Sequence, residues 1–121
     1  VQTFTDHQAR RSATWPDLTT EQLARVRSAV QETLDDHRRH LQENEELFRV
    51  LVSDPSVDAG ERQAARVAAA KAAGICQEAE GALAAMDDGT YGRCTGCGQD
   101  IPFERLEALP LTQTCVACPQ P

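Results

Sequence analysis

The sequence predicts a mainly α fold: a long antiparallel two-helix coiled-coil hairpin with a C-terminal four-cysteine zinc finger at its base. Three observations carry that expectation. Apolar residues recur at helical spacing from Leu23 to Leu51, an alanine-rich run leading to Met86 follows a proline-containing break, and two Cys-x-x-Cys doublets close the chain. The hairpin is assigned to residues 19–88, with its tip at about 53–60. An arm of residues 1–18 precedes it, and the finger takes residues 89–121.

Helix one opens at Leu18-Thr19-Thr20-Glu21-Gln22-Leu23, a capping-box arrangement in which Thr19 caps, Gln22 reaches back and Leu18 staples onto Leu23. Its apolar stripe runs Leu23, Val26, Val30, Leu34, His37, Leu41, Phe48 and Leu51, in steps that hold one face in a single direction. The opposite face is densely charged. The helix is expected to end near Ser53, because Pro55 lacks an amide proton and disfavours helix at the residue before it.

Asp58-Ala59-Gly60-Glu61 offers the start of helix two, and alanine, the best helix former, dominates the stretch to Met86. Its inward stripe reads Ala65, Ala68, Ala72, Ile75 or Cys76, Ala79, Leu83 and Met86. Small side chains there let two helix axes approach to near the lower end of the usual range of about 8–10 Å, so the larger residues of helix one fill the seam. Asp87-Asp88-Gly89 stops the helix. The short connection between the two makes them antiparallel, and a rise of 1.5 Å per residue gives each arm a length of about 40–50 Å.

In the finger, Cys94-Thr95-Gly96-Cys97 and Cys115-Val116-Ala117-Cys118 stand seventeen residues apart, the spacing of a four-thiolate zinc site. Four soft sulfurs complete a tetrahedral zinc and leave no open position for water or substrate, so the site is expected to hold structure rather than do chemistry. A pair of disulfides and a dithiol redox centre are the alternatives. Gly96 and Gly98 suit tight knuckles because glycine tolerates positive φ. Phe103 to Ala108 reads as a short helix ending before Pro110, and Ile101, Phe103, Leu106 and Leu109 are expected to meet Leu83, Met86 and Tyr91. In the arm, Phe4 and Trp15 are candidate packing points.

Composition narrows the function. The chain has 121 residues, which is one domain at most, and only 4% aromatic residues, too few for a thick core. It begins at valine, as does a chain whose translated start is missing or replaced. No charged leader with an apolar h-region and no bilayer-length apolar run is seen, and Cys76, a fifth cysteine, suits a reducing cytoplasmic compartment as a small core residue. A net charge of −7 argues against direct DNA binding: the finger sets Arg93 and Arg105 against Asp100, Glu104 and Glu107. A protein partner with a basic groove or channel fits better. His37 and His40 lie at ligand spacing, but no third donor completes a site. Glu43, Glu45 and Glu46 read as a solvated face. No nucleophile–base pair or open metal points to an enzyme.

With Gly92-Arg93-Cys94-Thr95-Gly96-Cys97-Gly98, then Arg105-Leu106-Glu107-Ala108-Leu109-Pro110 before Cys115 and Cys118, the chain resembles the DksA/TraR zinc-finger family, over roughly Thr19 to Cys118. The resemblance implies a bacterial transcription regulator, monomeric, that binds RNA polymerase and inserts its coiled-coil tip into the secondary channel without binding DNA. It places the partner-binding tip at Asp54, Asp58 and Ala59, and one structural Zn2+ on Cys94, Cys97, Cys115 and Cys118.

Two departures accompany it. The family's tip signature is Asp-x-x-Asp-x-Ala, whereas this chain reads Asp54-Pro55-Ser56-Val57-Asp58-Ala59, with three residues between the aspartates. The plain alternative is that Asp58 caps helix two and Asp54 serves a turn. The positions matching the family's basic contacts to the alarmone ppGpp are Glu78, Leu109 and Pro119, none of them basic, so ppGpp independence is expected. Relatives often continue into a basic helix after the last cysteine, whereas this sequence ends Pro119-Gln120-Pro121. A zinc-stabilised helical adaptor docking on a different protein is the second reading of the chain.

Overall fold

The structure, a computed structural model, describes residues 18–118. The arm with Phe4 and Trp15 lies outside the described residues apart from Leu18, as does Pro119. Three helices follow in order: α1 over Thr20–Val52, α2 over Ala59–Asp88 and α3 over Phe103–Ala108. Among the described residues there is no strand, only an isolated antiparallel bridge between Arg93 and Asp100. The chain divides into two compact units, Glu32–Glu80, and Val1–Gln31 with Gly81–Pro121.

In the unit that holds the chain ends, α1 starts as its sequence demands. The Thr19 amide donates to Gln22 Oε1 and the Gln22 amide to Thr19 Oγ1, both at 3.0 Å, closing a reciprocal capping box. Leu18, Val26, Val30, Met86, Tyr91, Ile101 and Leu106 are all buried here, Val30 and Leu106 completely. Each such aliphatic side chain contributes about 1.5–3 kcal/mol by leaving water. The far end of α2 turns off at Gly89, whose φ of 81° is open to glycine at little cost. The Thr90 and Tyr91 amides then reach back to Ala85 O at 2.9 and 3.2 Å. Asp88 Oδ1 accepts from the Thr90 amide and hydroxyl, and Tyr91 Oη donates to Pro110 O at 2.7 Å. Burial pushes the Tyr91 phenol well above its ordinary pKa.

Leu109 corrects the expectation. It is 51% exposed, away from the buried Leu106. Its amide closes the last turn of α3 on Arg105 O, but its backbone leaves the helical region at φ −133°, ψ 76°. A residue three positions past Leu106 therefore no longer shares its face.

In the Glu32–Glu80 unit the two long helices pack together along the anticipated stripes. Leu34, Ala65, Ala72, Cys76 and Ala79 are buried, and His37, Leu41, Phe48, Leu51, Ala68 and Ile75 are half-buried. Cys76 is thus a core residue, as its small apolar character predicts. Arg38 pairs with Glu80 at 3.0 Å, and the Arg66 guanidinium sits 5.1 Å from the Phe48 ring centre. Arg39–Asp36 and Arg49–Glu46 are exposed pairs within α1 that add little stability. His37 Nδ1 lies 2.9 Å from Thr33 O, so it carries the proton, and its ring meets His40 edge-on at 5.6 Å. The pair belongs to no cluster of three or more metal donors among the described residues.

Candidate metal centre and tip turn

The two cysteine doublets converge although α3 intervenes between them. Cys94 N donates to Gln99 O at 2.8 Å and Gly98 N to Cys94 O at 2.9 Å, which curls the first knuckle. Gly98 takes φ 76°, as its knuckle position predicts. The second knuckle turns through Cys118 N to Cys115 O at 3.2 Å. Thr95 N to Gln113 O, at 2.8 Å, ties the two together, and Arg105 Nε on α3 donates to Thr114 O at 2.9 Å. The sequence carried no local sign of this last contact, because an arginine nine residues before a buried threonine has no motif.

The sulfurs of Cys94, Cys97, Cys115 and Cys118 all lie within 4.8 Å of one another, and they form the one such group of metal donors among the described residues. Cys97 Sγ is 3.7 Å from Cys115 Sγ. A disulfide needs about 2.0 Å, whereas four ligands about 2.3 Å from a tetrahedral zinc stand about 3.8 Å apart. The four cysteines are therefore placed to hold one metal ion, and the donor set suits one structural Zn2+. Gly96 fits for a different reason from the one its sequence suggested. Its φ is not positive; instead a Cβ there would fall 3.0 Å from Cys118 Sγ and 3.2 Å from Cys118 Cβ.

The electrostatics of the thiols suit a site for a positive ion. Cys94 Sγ accepts from the Cys115 and Gly96 amides at 3.4 and 3.3 Å. The Cys115 amide above all, with those of Cys97 and Gly96, draws the Cys94 pKa down to about 6 against the effect of burial. The neighbouring sulfurs, Cys94 first, push Cys118 up to about 12. At Cys97 the Gln99 amide favours the thiolate, but the Cys94 sulfur, burial and Cys115 outweigh it and the pKa rises. Four clustered sulfurs resist joint ionisation, and a bound dication removes that resistance.

The turn between α1 and α2 is organised by short-range bonds. Asp54 Oδ1 accepts from Ser56 Oγ at 2.7 Å and from the Ser56 amide at 2.9 Å, and these bonds hold its carboxyl below the ordinary pKa. Asp58 Oδ1 accepts from the Glu61 amide at 2.9 Å, the cap that its position predicts. Ala59 begins α2 and is exposed. Arg62 Nη1, from the first turns of α2, donates to Val57 O at 2.7 Å and pins the turn. Sequence reasoning missed Arg62, and it missed Ser56, although Asp-x-Ser is a recognisable turn signal. Glu78, on α2, and Leu109, just past the end of α3, are both exposed. Among the described residues no helix is long and apolar enough to cross a membrane.

Residues 89–120 match the model of the prokaryotic dksA/traR C4-type zinc finger, and the finger belongs to that family. The chain is 50% identical over 42 residues to general stress protein 16O of Bacillus subtilis (strain 168), covering 35% of this chain and 26% of that protein. It is 53% identical over 38 residues to the uncharacterized protein YteA of the same strain, covering 31% and 16%. An uncharacterized protein of Aquifex aeolicus (strain VF5) is 45% identical over 42 residues, covering 35% and 29%. The chain thus spans under a third of the length of each of these curated relatives. No solved structure matches it.

Proposed function

We infer that this chain is a bacterial transcription regulator that binds RNA polymerase and acts by inserting the turn between α1 and α2 into the secondary channel, without binding DNA. The observation that carries the reading is the dksA/traR-type finger at residues 89–120 in one chain with two long helices, joined by a six-residue turn bearing two exposed carboxylates.

Several features support it. Within Glu32–Glu80, Arg38 meets Glu80 and Phe48 meets Arg66, so contacts move down α2 as they move up α1, the order of an antiparallel hairpin. Residues 32–80 hold eleven Asp and Glu against six Arg and Lys, a balance that suits a basic channel wall and repels DNA phosphate. Cys94, Cys97, Cys115 and Cys118 hold one zinc whose four thiolates leave no open position for a substrate, so it organises the finger and catalyses no reaction. Asp54, Asp58 and Ala59 form the working tip. Two of the roughly four lone-pair sites of the Asp54 carboxylate are engaged by Ser56, which leaves capacity for a basic group of the polymerase. Glu78 and Leu109 supply no cation for a polyphosphate, so the effect on transcription is independent of ppGpp at fixed salt.

The test is a purified transcription assay with co-migration on polymerase. The wild-type chain co-migrates and changes promoter-complex stability equally with and without ppGpp. Asp54→Asn keeps its melting temperature and its binding but loses most of the effect. No co-migration defeats the reading and favours an adaptor for another protein. Binding with unchanged regulation in Asp54→Asn removes only the role of the tip.

A further inference from the structure

The four sulfurs of the metal centre are not equivalent. Cys94 is 2% exposed and its sulfur is held by two backbone amides. Cys118 lies against the first knuckle, so closely that a Cβ at Gly96 would meet its Sγ at 3.0 Å. Cys115 is half-buried like Cys118, and its amide is committed to Cys94 Sγ. Cys97 alone among the four is exposed.

The chain on either side of Cys97 does nothing to shield it. Thr95, Gly96, Gly98 and Gln99 are all exposed, and none carries a charge. On the second knuckle Val116 is 80% exposed and Ala117 is exposed as well, again without charge. A thiol sulfur that gains negative charge as it binds metal thus meets no like charge from either knuckle at Cys97, and small side chains leave it room.

We propose that Cys97 is the exchange edge of this metal centre, the ligand released first and the side from which a thiol-bearing molecule takes the metal. In the exchange the incoming thiol forms a sulfur–metal bond as the bond to Cys97 breaks, and its proton passes to the freed Cys97 sulfur. No oxidant or reductant is needed. Cys94 leaves last, because its two amide donors keep the sulfur in place whether or not the others have let go. The finger is then both a structural element and a zinc donor to soft ligands, a property that does not depend on any role at RNA polymerase.

The zinc-loaded chain treated with substoichiometric iodoacetamide tests this directly. Alkylation makes a carbon–sulfur bond, expels iodide and leaves a thioether that binds metal poorly, so peptide mass spectrometry identifies the accessible ligand while a chromophoric chelator follows released zinc. Cys97 is expected to label about tenfold faster than Cys94, Cys115 or Cys118. Zinc should appear in step with that labelling, and buried Cys76 should stay unmodified as an internal mark of the intact fold. Labelling of Cys115 or Cys118 first, equal labelling of all four, or labelling of Cys76 at the same rate would overturn the proposal. A second measurement uses cobalt in place of zinc: Cys97→Ser should retain tetrahedral cobalt absorption but lose the metal to glutathione about tenfold faster than wild type, whereas Cys94→Ser should fail to form the band. Equal cobalt retention in the two variants would also overturn it.

Discussion

The finger and the turn between α1 and α2 both reverse the chain around ionisable side chains, and they satisfy those side chains in opposite ways. At the turn every bond is local: Asp54 is held by Ser56 two residues on, and Asp58 by the Glu61 amide three residues on. In the finger local bonds, the Gly96 amide to Cys94 Sγ among them, are joined by partners from far along the chain, Cys115 donating to Cys94 and Thr95 to Gln113. Locally satisfied carboxylates need nothing further to stay folded. Clustered sulfurs drawn from two distant knuckles need a cation between them. One region is therefore self-sufficient, and the other is conditional on metal.

The largest test of that contrast is metal removal. Structural zinc contributes an apparent binding free energy of about 10–16 kcal/mol in finger peptides at neutral pH, more than so small a module recovers from apolar burial alone. Cys94→Ser, Cys115→Ser or exhaustive chelation should release zinc and unfold the finger, while circular dichroism retains part of the helical signal. Ordered finger resonances surviving chelation would erase the distinction between the regions.

A smaller effect separates two glycines of one knuckle. Gly96→Ala drives a methyl against Cys118 and should cost about 1–3 kcal/mol, read as weaker zinc affinity. Gly98→Ala meets no atom but must adopt φ 76°, costing about 1 kcal/mol in stability with an unchanged cobalt spectrum. If both changed metal affinity alike, close approach to Cys118 would not be the reason for Gly96.

At the turn, Asp58→Ala removes a helix cap and should lower stability by about 1 kcal/mol, seen as a reduced melting temperature with the metal content intact. Zinc loss in this variant would mean that the two regions are not separable. The smallest expected effect is on pH. Asp54 has a folded pKa below its unfolded value, so its contribution is complete above about pH 4 and fades as pH falls through the folded value. Because the side chain is exposed, the difference between wild type and Asp54→Asn in a denaturation series across that window should be barely measurable. A large acid-dependent difference would show that the turn relies on Asp54 for its fold.

Legibility in the sequence followed the range of each interaction. The capping box at Thr19 and Gln22, the Asp58 cap, the extent of α3 and the stop at Gly89 all use partners within a few residues, and each was readable from residue type and spacing. Leu109 was misread, because whether it shares a face with Leu106 depends on where α3 leaves helical geometry. Arg62 was invisible because its acceptor is a backbone carbonyl, which every residue possesses.

By itself the sequence determined the helical class, the apolar stripes of α1 and α2, and the four donors of a closed metal site, since periodicity and cysteine spacing are properties of the chain alone. Only the tertiary structure decided how those donors differ. It buried Cys94 under two amides, left Cys97 exposed, and brought Cys118 so near Gly96 that no side chain fits between them. Spacing identifies which atoms are able to bind a metal; accessibility and amide donation depend on which distant segments fold over each sulfur, and identical Cys-x-x-Cys doublets carry no record of that.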